Sequence, residues 1–353
     1  MKNILRESKK TLLLTLLLGV TLLTAACGQG PAAKPAEKAD VNPAKVKVGT
    51  IRAISDAPIF IALEKGYFKE QNLDVEAVSF GSGADMIAPL SAGQLDAGAG
   101  TPSAGLYNAI ARGFDLQIVA DKGRVGKNSD YIAILVRKDL SESGAIKTYA
   151  DLKGKKIAVS NLGGSNAVEL GAALQKAGLT LKDVEPVEMS FPNMGIALAN
   201  KSIDAAVVAE PNLIKFVEAG YAVRWKGVYE LVPDQQAAVL LYAAKFAKDS
   251  PDVATRFMVA YLKGIRDYND AFFNNKGYDE VVAILTKHTS VKDAAVYKKM
   301  APAGFDSDGK VNLASLQSDY NWYKSQGKIQ GSVDFDKIVN PAFAKAAAAK
   351  IGK

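Results

Sequence analysis

The hydrophobic pattern of the chain changes character twice within its first fifty residues. A short basic segment ending at Lys9-Lys10 gives way to a charge-free, largely aliphatic run from Thr11 to Thr24, after which the small residues Ala25-Ala26 precede Cys27. That run is 14 residues long, whereas a helix needs about 20 to cross hydrocarbon. Residues 1–26 therefore read as a secretory signal rather than a permanent span. From Gly28 to Lys45 Pro, Ala, Gly and Lys dominate, and Val41 is the only large apolar residue. Such a stretch buries too little surface to offset its ordering entropy, and as an extended tether it would reach about 50 Å.

A folded body is expected from Val46 onward, where the periodicity alternates between 2 and 3.6. Val46 to Ile51 alternates as a strand; Ser55-Asp56-Ala57-Pro58 then opens a helix over Ile59 to Lys65 that closes at Gly66. Leu73 to Phe80 reads as a second strand, Gly81-Ser82-Gly83 as a turn, Ala84 to Ala92 as a helix and Leu95 to Gly100 as a third strand. Strands alternating with helices predict an α/β body with a parallel sheet covered on both faces.

The same grammar returns about a hundred residues later. Ile157 to Ser160 is strand-like, Leu162 to Asn166 turn-like, Ala167 to Ala177 and Met194 to Asn200 helical, and Ile203 to Ala209 strand-like. Met86, Leu90, Leu95, Asp96 and Ala97 match Met194, Leu198, Ile203, Asp204 and Ala205 at a constant offset of 108. Two similar α/β lobes are expected on this reading; helix-then-strand units also converge on such patterns without a repeat. Ala237 to Ala244 is strand-like again, and beyond it the spacing of Val253, Phe257, Tyr261, Ile265 and Tyr268 predicts a long helix from Ser250-Pro251-Asp252 to Phe273. Shorter helices are expected over Asp279 to His288 and Leu313 to Ser325. The boundaries are accordingly a signal over 1–26, a tether over 27–45, a first lobe over 46–138, a second over 139–236, and a return to the first lobe with C-terminal helices over 237–353.

Composition narrows the chemistry. A single Cys and a single His in 353 residues exclude an internal disulfide, a thiolate zinc cluster and a His-rich metal site. They also leave no Cys-His or Ser-His-Asp arrangement in prospect, and no cofactor or metal is expected. The formal charge is +7, but residues 1–26 hold four basic side chains against one acidic, which leaves +4 for residues 27–353. So weak an excess argues against a nucleic-acid partner.

Two resemblances add to this reading. Leu23 to Cys27 resembles the lipobox of bacterial lipoproteins, with Thr24 where Leu is commoner. That resemblance implies lipid attachment at Cys27 and an exported chain anchored at the outer face of the cytoplasmic membrane. Further along stand Ala57-Pro58-Ile59-Phe60, Glu64-Lys65-Gly66-Tyr67-Phe68, Gly93 to Gly98, Ala111-Arg112-Gly113, Asp151 to Lys156, Ile203 to Ala206 and Glu210-Pro211. In this order they resemble the substrate-binding proteins of ABC importers for nitrate, sulfonates, taurine and thiamine pyrimidine precursors. The resemblance implies a type II periplasmic-binding-protein-like fold: two α/β lobes joined by two crossover segments, with ligand in the cleft between them. It implies closure about a hinge, a monomer, and a permease and ATPase carried on other chains. One branch of the same fold is an enzyme that consumes a His and holds iron on several Cys. This chain, with one Cys and one His, lacks that inventory, so no catalysis is expected. A receptor for a pyrimidine or riboflavin, or a ligand-sensing lipoprotein without a transporter, shares these features.

Candidate ligand residues gather where strands meet helices. Ser55-Asp56, Ser82-Gly83 and Gly164-Ser165-Asn166 lie at expected helix N-termini, where unpaired N–H groups and the helix dipole favour anions. The same residue types also serve as plain caps. Thr101 and Ser103 fall where the resemblance places a pocket loop. Glu210 would repel an anion; it faces a ligand amine, pairs with Arg52 or Arg124, or is solvated. Arg52, Lys122 and Arg124 are either ligand contacts or solvated surface charges. Phe60, Tyr107, Tyr131, Phe191 and Trp225 offer rings for stacking or simply belong to the core. His288 is expected to be exposed on an outer helix, without a role.

Overall fold

A computed structural model of the chain describes residues 42–352. The signal, Cys27 and all but the last few residues of the tether lie outside the described residues. The folded body starts earlier than Val46: strand β1 spans Ala44–Thr50, with Ala44 paired to Leu73 and Lys45 to Asp74. Ladder pairing uses backbone groups, so it extends past the first apolar side chain.

The strands are β1, β2 (Leu73–Ser79), β3 (Ala97–Gly100), β4 (Leu116–Arg124), β5 (Ile132–Arg137), β6 (Lys156–Val159), β7 (Glu185–Glu188), β8 (Ala205–Ala209), β9 (Ala222–Gly227) and β10 (Gln236–Ala243). They form two five-stranded sheets of the same order, β2-β1-β3-β10-β4 and β7-β6-β8-β5-β9. We call each sheet with its helices a lobe. The helices used below are α1 (Ala57–Glu64), α2 (Ile87–Ser91), α3 (Ala104–Ala111), α4 (Ser165–Gln175), α5 (Phe191–Ala199), α6 (Asn212–Glu218), α7 (Pro251–Asn274), α8 (Tyr278–His288), α9 (Leu313–Ser325) and α10 (Ala342–Ile351).

Neither sheet is wholly parallel, contrary to the expectation from alternating strands and helices. β10 runs antiparallel to β3 and β4, and β5 antiparallel to β8 and β9. Each of these two strands arrives from the other sheet, so no within-sheet crossover imposes a parallel direction on it. The central strands β8 and β10 are buried along their whole length. Helices cover both faces there, which is why these strands read as continuous apolar runs.

The repeat seen in the sequence has a structural counterpart. Asp96 precedes β3, and its carboxylate accepts the Lys47 N–H at 2.8 Å; Asp204 precedes β8 and accepts the Lys156 N–H at 2.9 Å. The carbonyls of the two aspartates accept the amides of Ala243 and Arg137, each at 2.9 Å. One aspartate thus ties three neighbouring strands together in each lobe.

Candidate functional site

The loops that leave the carboxyl ends of β1, β2, β3 and β6 converge between the two lobes, where open α/β sheets place ligands. Together with the first residues of β5 and β10 they line a cavity of about 40 Å³. Of the residues expected from sequence, Ser55, Ser82, Gly83, Thr101, Ser165 and Asn166 lie in its wall, beside Ile51, Tyr131, Ser160 and Phe191. The lobes are closed on this space. Ala104, just after β3, donates its N–H to the Gly163 carbonyl, just after β6, at 2.8 Å, and Ile54 donates to the Glu210 carbonyl at 3.1 Å. Ser165 Oγ donates to the Ala237 carbonyl at 3.1 Å.

The charge behind this cavity is buried. Lys122, in β4, is fully enclosed rather than solvated, and its Nζ lies 2.7 Å from Asp56 Oδ1 and 2.8 Å from Ser55 Oγ. Asp56 Oδ2 in turn accepts the N–H groups of Ile51 and Ala53, at 2.8 and 3.2 Å. Asp56 is therefore a partner for Lys122 and for its own loop, not a ligand contact. Because Ser55 Oγ accepts from an ammonium, its own proton is free to be donated into the cavity, reinforced by the charge behind it. The first N–H groups of α4, at Ser165 and Asn166, have no acceptor within their helix and open on the same space.

Several expected residues are placed elsewhere. Ser103 is buried and caps α3, its Oγ accepting the Leu106 N–H at 3.2 Å. Gly164 caps α4 without appearing in the wall. Phe60 is buried and stacks on His288, with ring centroids 4.7 Å apart. His288 is itself only 27% exposed and bonds Glu64 at 2.8 Å, so it is not the free surface residue expected. Glu210 turns away from the cavity: its carboxyl accepts Ile214 N–H at 3.0 Å and Ala301 N–H at 3.3 Å, and burial pushes it up to about 7. It pairs with neither Arg52 nor Arg124. Arg52 is exposed in an outer vestibule of about 320 Å³ with Phe80, Phe191 and Asn212, while Arg124 donates to the Lys310 carbonyl at 2.7 Å. Of the rings, Tyr131 and Phe191 reach the cavity, Tyr107 is core, and Trp225 packs edge-on to Tyr149.

Sequence reasoning missed a second polar group behind the wall. Asn166 Nδ2 donates to Glu169 Oε2 at 2.8 Å, and Asn166 Oδ1 accepts from Ser160 Oγ at 2.6 Å. Glu169 is fully buried, and burial raises it to about 8. Asp319, on α9, is equally enclosed and raised by burial to about 7. The one available signal was spacing: Glu169 stands three residues after Asn166 on the face of α4 that carries Leu170 and Ala173 into the core.

A profile of the family described as NMT1/THI5 like matches residues 54–270. The chain belongs to this family. A putative binding protein of Brucella abortus (strain 2308) is 31% identical over 290 residues, which cover 80% of this chain and 82% of that protein. Among solved structures, the alkanesulfonate-binding protein SsuA from Xanthomonas axonopodis pv. citri bound to MOPS superposes with a TM-score of 0.69 at 21% identity, covering 86% of this chain and all of that one. The periplasmic nitrate-binding protein NrtA from Synechocystis PCC 6803 gives 0.72 at 16% identity, over 88% and 89% of the two chains. At such identities the likeness is one of fold, and the fold is the two-lobed periplasmic-binding-protein fold expected from the motifs.

Proposed function

We propose that this NMT1/THI5-like protein is the solute-capturing component of an ABC import system and that its solute is a small anion. The observation that carries this reading is the Ser55 hydroxyl. It is held by the buried Lys122 ammonium at 2.8 Å and lines the space that the closed lobes enclose, opposite the N-terminus of α4. Donors backed by a buried cation and a helix dipole stabilise an anionic group without a free ammonium in the cavity. A cavity of about 40 Å³ suits the head of a nitrate-, sulfonate- or carboxylate-like solute. The Brucella relative, matched over about four fifths of both chains, is named a binding protein, whereas the relatives named as synthases match less than half of this chain, which supports capture and release over catalysis. The closed lobes would then deliver the solute to a permease driven by a separate ATPase.

The test is a thermal-unfolding series on the full chain with nitrate, methanesulfonate, taurine, bicarbonate, a pyrimidine and riboflavin. A small anion should raise the midpoint saturably, by about 2.7 kcal/mol at a hundredfold excess over the dissociation constant, and Ser55→Ala should remove most of that gain. A response confined to the heterocycles sinks the anion reading. Lipid attachment at Cys27, with export to the outer face of the cytoplasmic membrane, completes the proposal. Its basis is the segment Leu23 to Cys27. A Cys27→Ala variant should move from the membrane to the soluble fraction, and continued retention refutes the anchor.

A further inference from the structure

Two buried carboxyls stand behind the cavity, and solute capture as described above does not use them. Glu169 belongs to α4 of the second lobe. Asp319 belongs to α9, which is fastened to the first: Tyr323 Oη donates to the Pro102 carbonyl at 2.9 Å, and Ser315 Oγ accepts the Gln236 N–H at 2.8 Å. The two helices meet at Gly171, where a Cβ would stand 2.5 Å from the Trp322 ring, so only glycine permits this approach. Glu169 and Asp319 thus lie on the two helices of a contact that joins the lobes, with Asp319 near enough for its charge to raise Glu169 further.

The pair is uncompensated. The charged groups facing Glu169 are Asp319 and Asp130, both acidic, and Asp130 is already paired with Arg224 at 2.7 Å. Close by, Glu169 also has Asn166 on its own helix, Tyr131 just before β5 and Tyr323 on α9. Asp319 receives Gln235 Nε2 at 3.3 Å and has Tyr107 and Tyr323 close by. Glu169 Oε1, Asp319 Oδ1 and Gln235 Oε1 are all buried with no hydrogen-bond partner among the described residues. Two ionised carboxylates without a cation are heavily disfavoured in such a place, whereas a proton neutralises one of them and supplies a donor.

We propose that closing the cleft takes up a proton at the Glu169–Asp319 pair, so that capture and protonation are coupled. The link to the cavity is short, since the Asn166 that lines it is held by Glu169 and itself receives the Ser160 hydroxyl. When the lobes part, α4 leaves α9, water reaches both carboxyls, and they ionise in their ordinary range. The closed form is therefore favoured without penalty below that range. As pH rises from there toward neutrality and beyond, the ratio of closed to open falls about tenfold per unit for a single proton, then levels off above the closed-state value.

This significance rests on the capture reading, but the test needs no solute. Trp322 sits in the contact, and the chain has one other tryptophan, Trp225. In a Trp225→Phe background, Trp322 emission is followed from pH 5 to 9 without added solute. The emission should shift to the red as pH rises. Glu169→Gln, which still accepts the Asn166 amide but cannot ionise, and Asp319→Asn should each weaken the response, and the double variant should flatten it. A flat trace in the otherwise unchanged protein overturns the proposal whatever the variants do. So does a response that persists undiminished in the double variant, which would belong to another buried group such as Glu210. Failure of every anion to raise the unfolding midpoint would sink the capture reading and leave this result standing.

Discussion

Lys122 shows what a single charge can do when it is withdrawn from water. Its ammonium has one carboxylate at 2.7 Å and one hydroxyl at 2.8 Å, and neither Lys122 nor Asp56 has any exposed side-chain surface. A buried pair of this kind is worth little compared with an apolar pair, because desolvation offsets most of the attraction, but removing one partner strands the other. Lys122→Met should therefore cost about 3–5 kcal/mol, read as a lowered midpoint in urea. The double variant Lys122→Met/Asp56→Asn should recover most of that loss, since an Asn oxygen still accepts the Ile51 and Ala53 amides. A single variant costing under about 1 kcal/mol would mean that Asp56 is not stranded by the loss of Lys122 and refutes this account of the pair. Ser55-Asp56 was legible in sequence as a helix-opening turn. Lys122 was not legible as its partner, because nothing local distinguishes a buried lysine from a solvated one. The pairing spans 66 positions and exists only once β1 and β4 share a sheet.

At the scale of elements, the readable parts are those whose local pattern agrees with their tertiary surroundings. β2 was expected over Leu73 to Phe80 and spans Leu73–Ser79; α9 was expected over Leu313 to Ser325 and spans those residues. The repeat, read from Asp96 and Asp204 at their fixed offset, points to carboxylates that do the same structural work in both lobes. What escaped has identifiable causes. β7, Glu185–Glu188, is a half-polar edge strand, so its composition resembles a loop. β4 carries Asp121, Lys122 and Arg124, charges that read as surface until their partners are known. α4 starts at Ser165, two residues before the expected Ala167, because Ser165 and Asn166 turn their polar side chains onto other elements while their backbone is already helical. The direction of β5 and β10 was beyond reach for another reason: it depends on which sheet a strand enters, and periodicity carries no information about that.

For the whole molecule the question is whether the two lobes move as units, and the closed cleft offers a direct lever. A Cβ built on Gly163 would stand 3.7 Å from Ala104 Cβ, within the 3.5–4.5 Å or so that a disulfide requires. The Gly163 backbone lies outside the left-handed region, so a side chain there needs only the Asn161 carboxamide, whose Oδ1 would stand 3.1 Å away, to give by a few tenths of an ångström. The only native thiol, Cys27, is removed by Cys27→Ala to prevent mispairing. Oxidised Ala104→Cys/Gly163→Cys should be locked shut: the bond ties a loop after β3 in one lobe to a loop after β6 in the other, replacing the weaker restraint of the Ala104–Gly163 hydrogen bond. Three readouts then follow from one bond. The thermal midpoint should rise, by an amount in the usual disulfide range of about 2–4 kcal/mol. Added anion should give no further rise, because a sealed cavity cannot exchange its contents. The pH response of Trp322 should vanish on oxidation and return on reduction, because α4 can no longer leave α9. If the oxidised protein instead keeps its full pH response, the contact between α4 and α9 opens independently of the cleft, and the molecule has to be treated as two hinges rather than one.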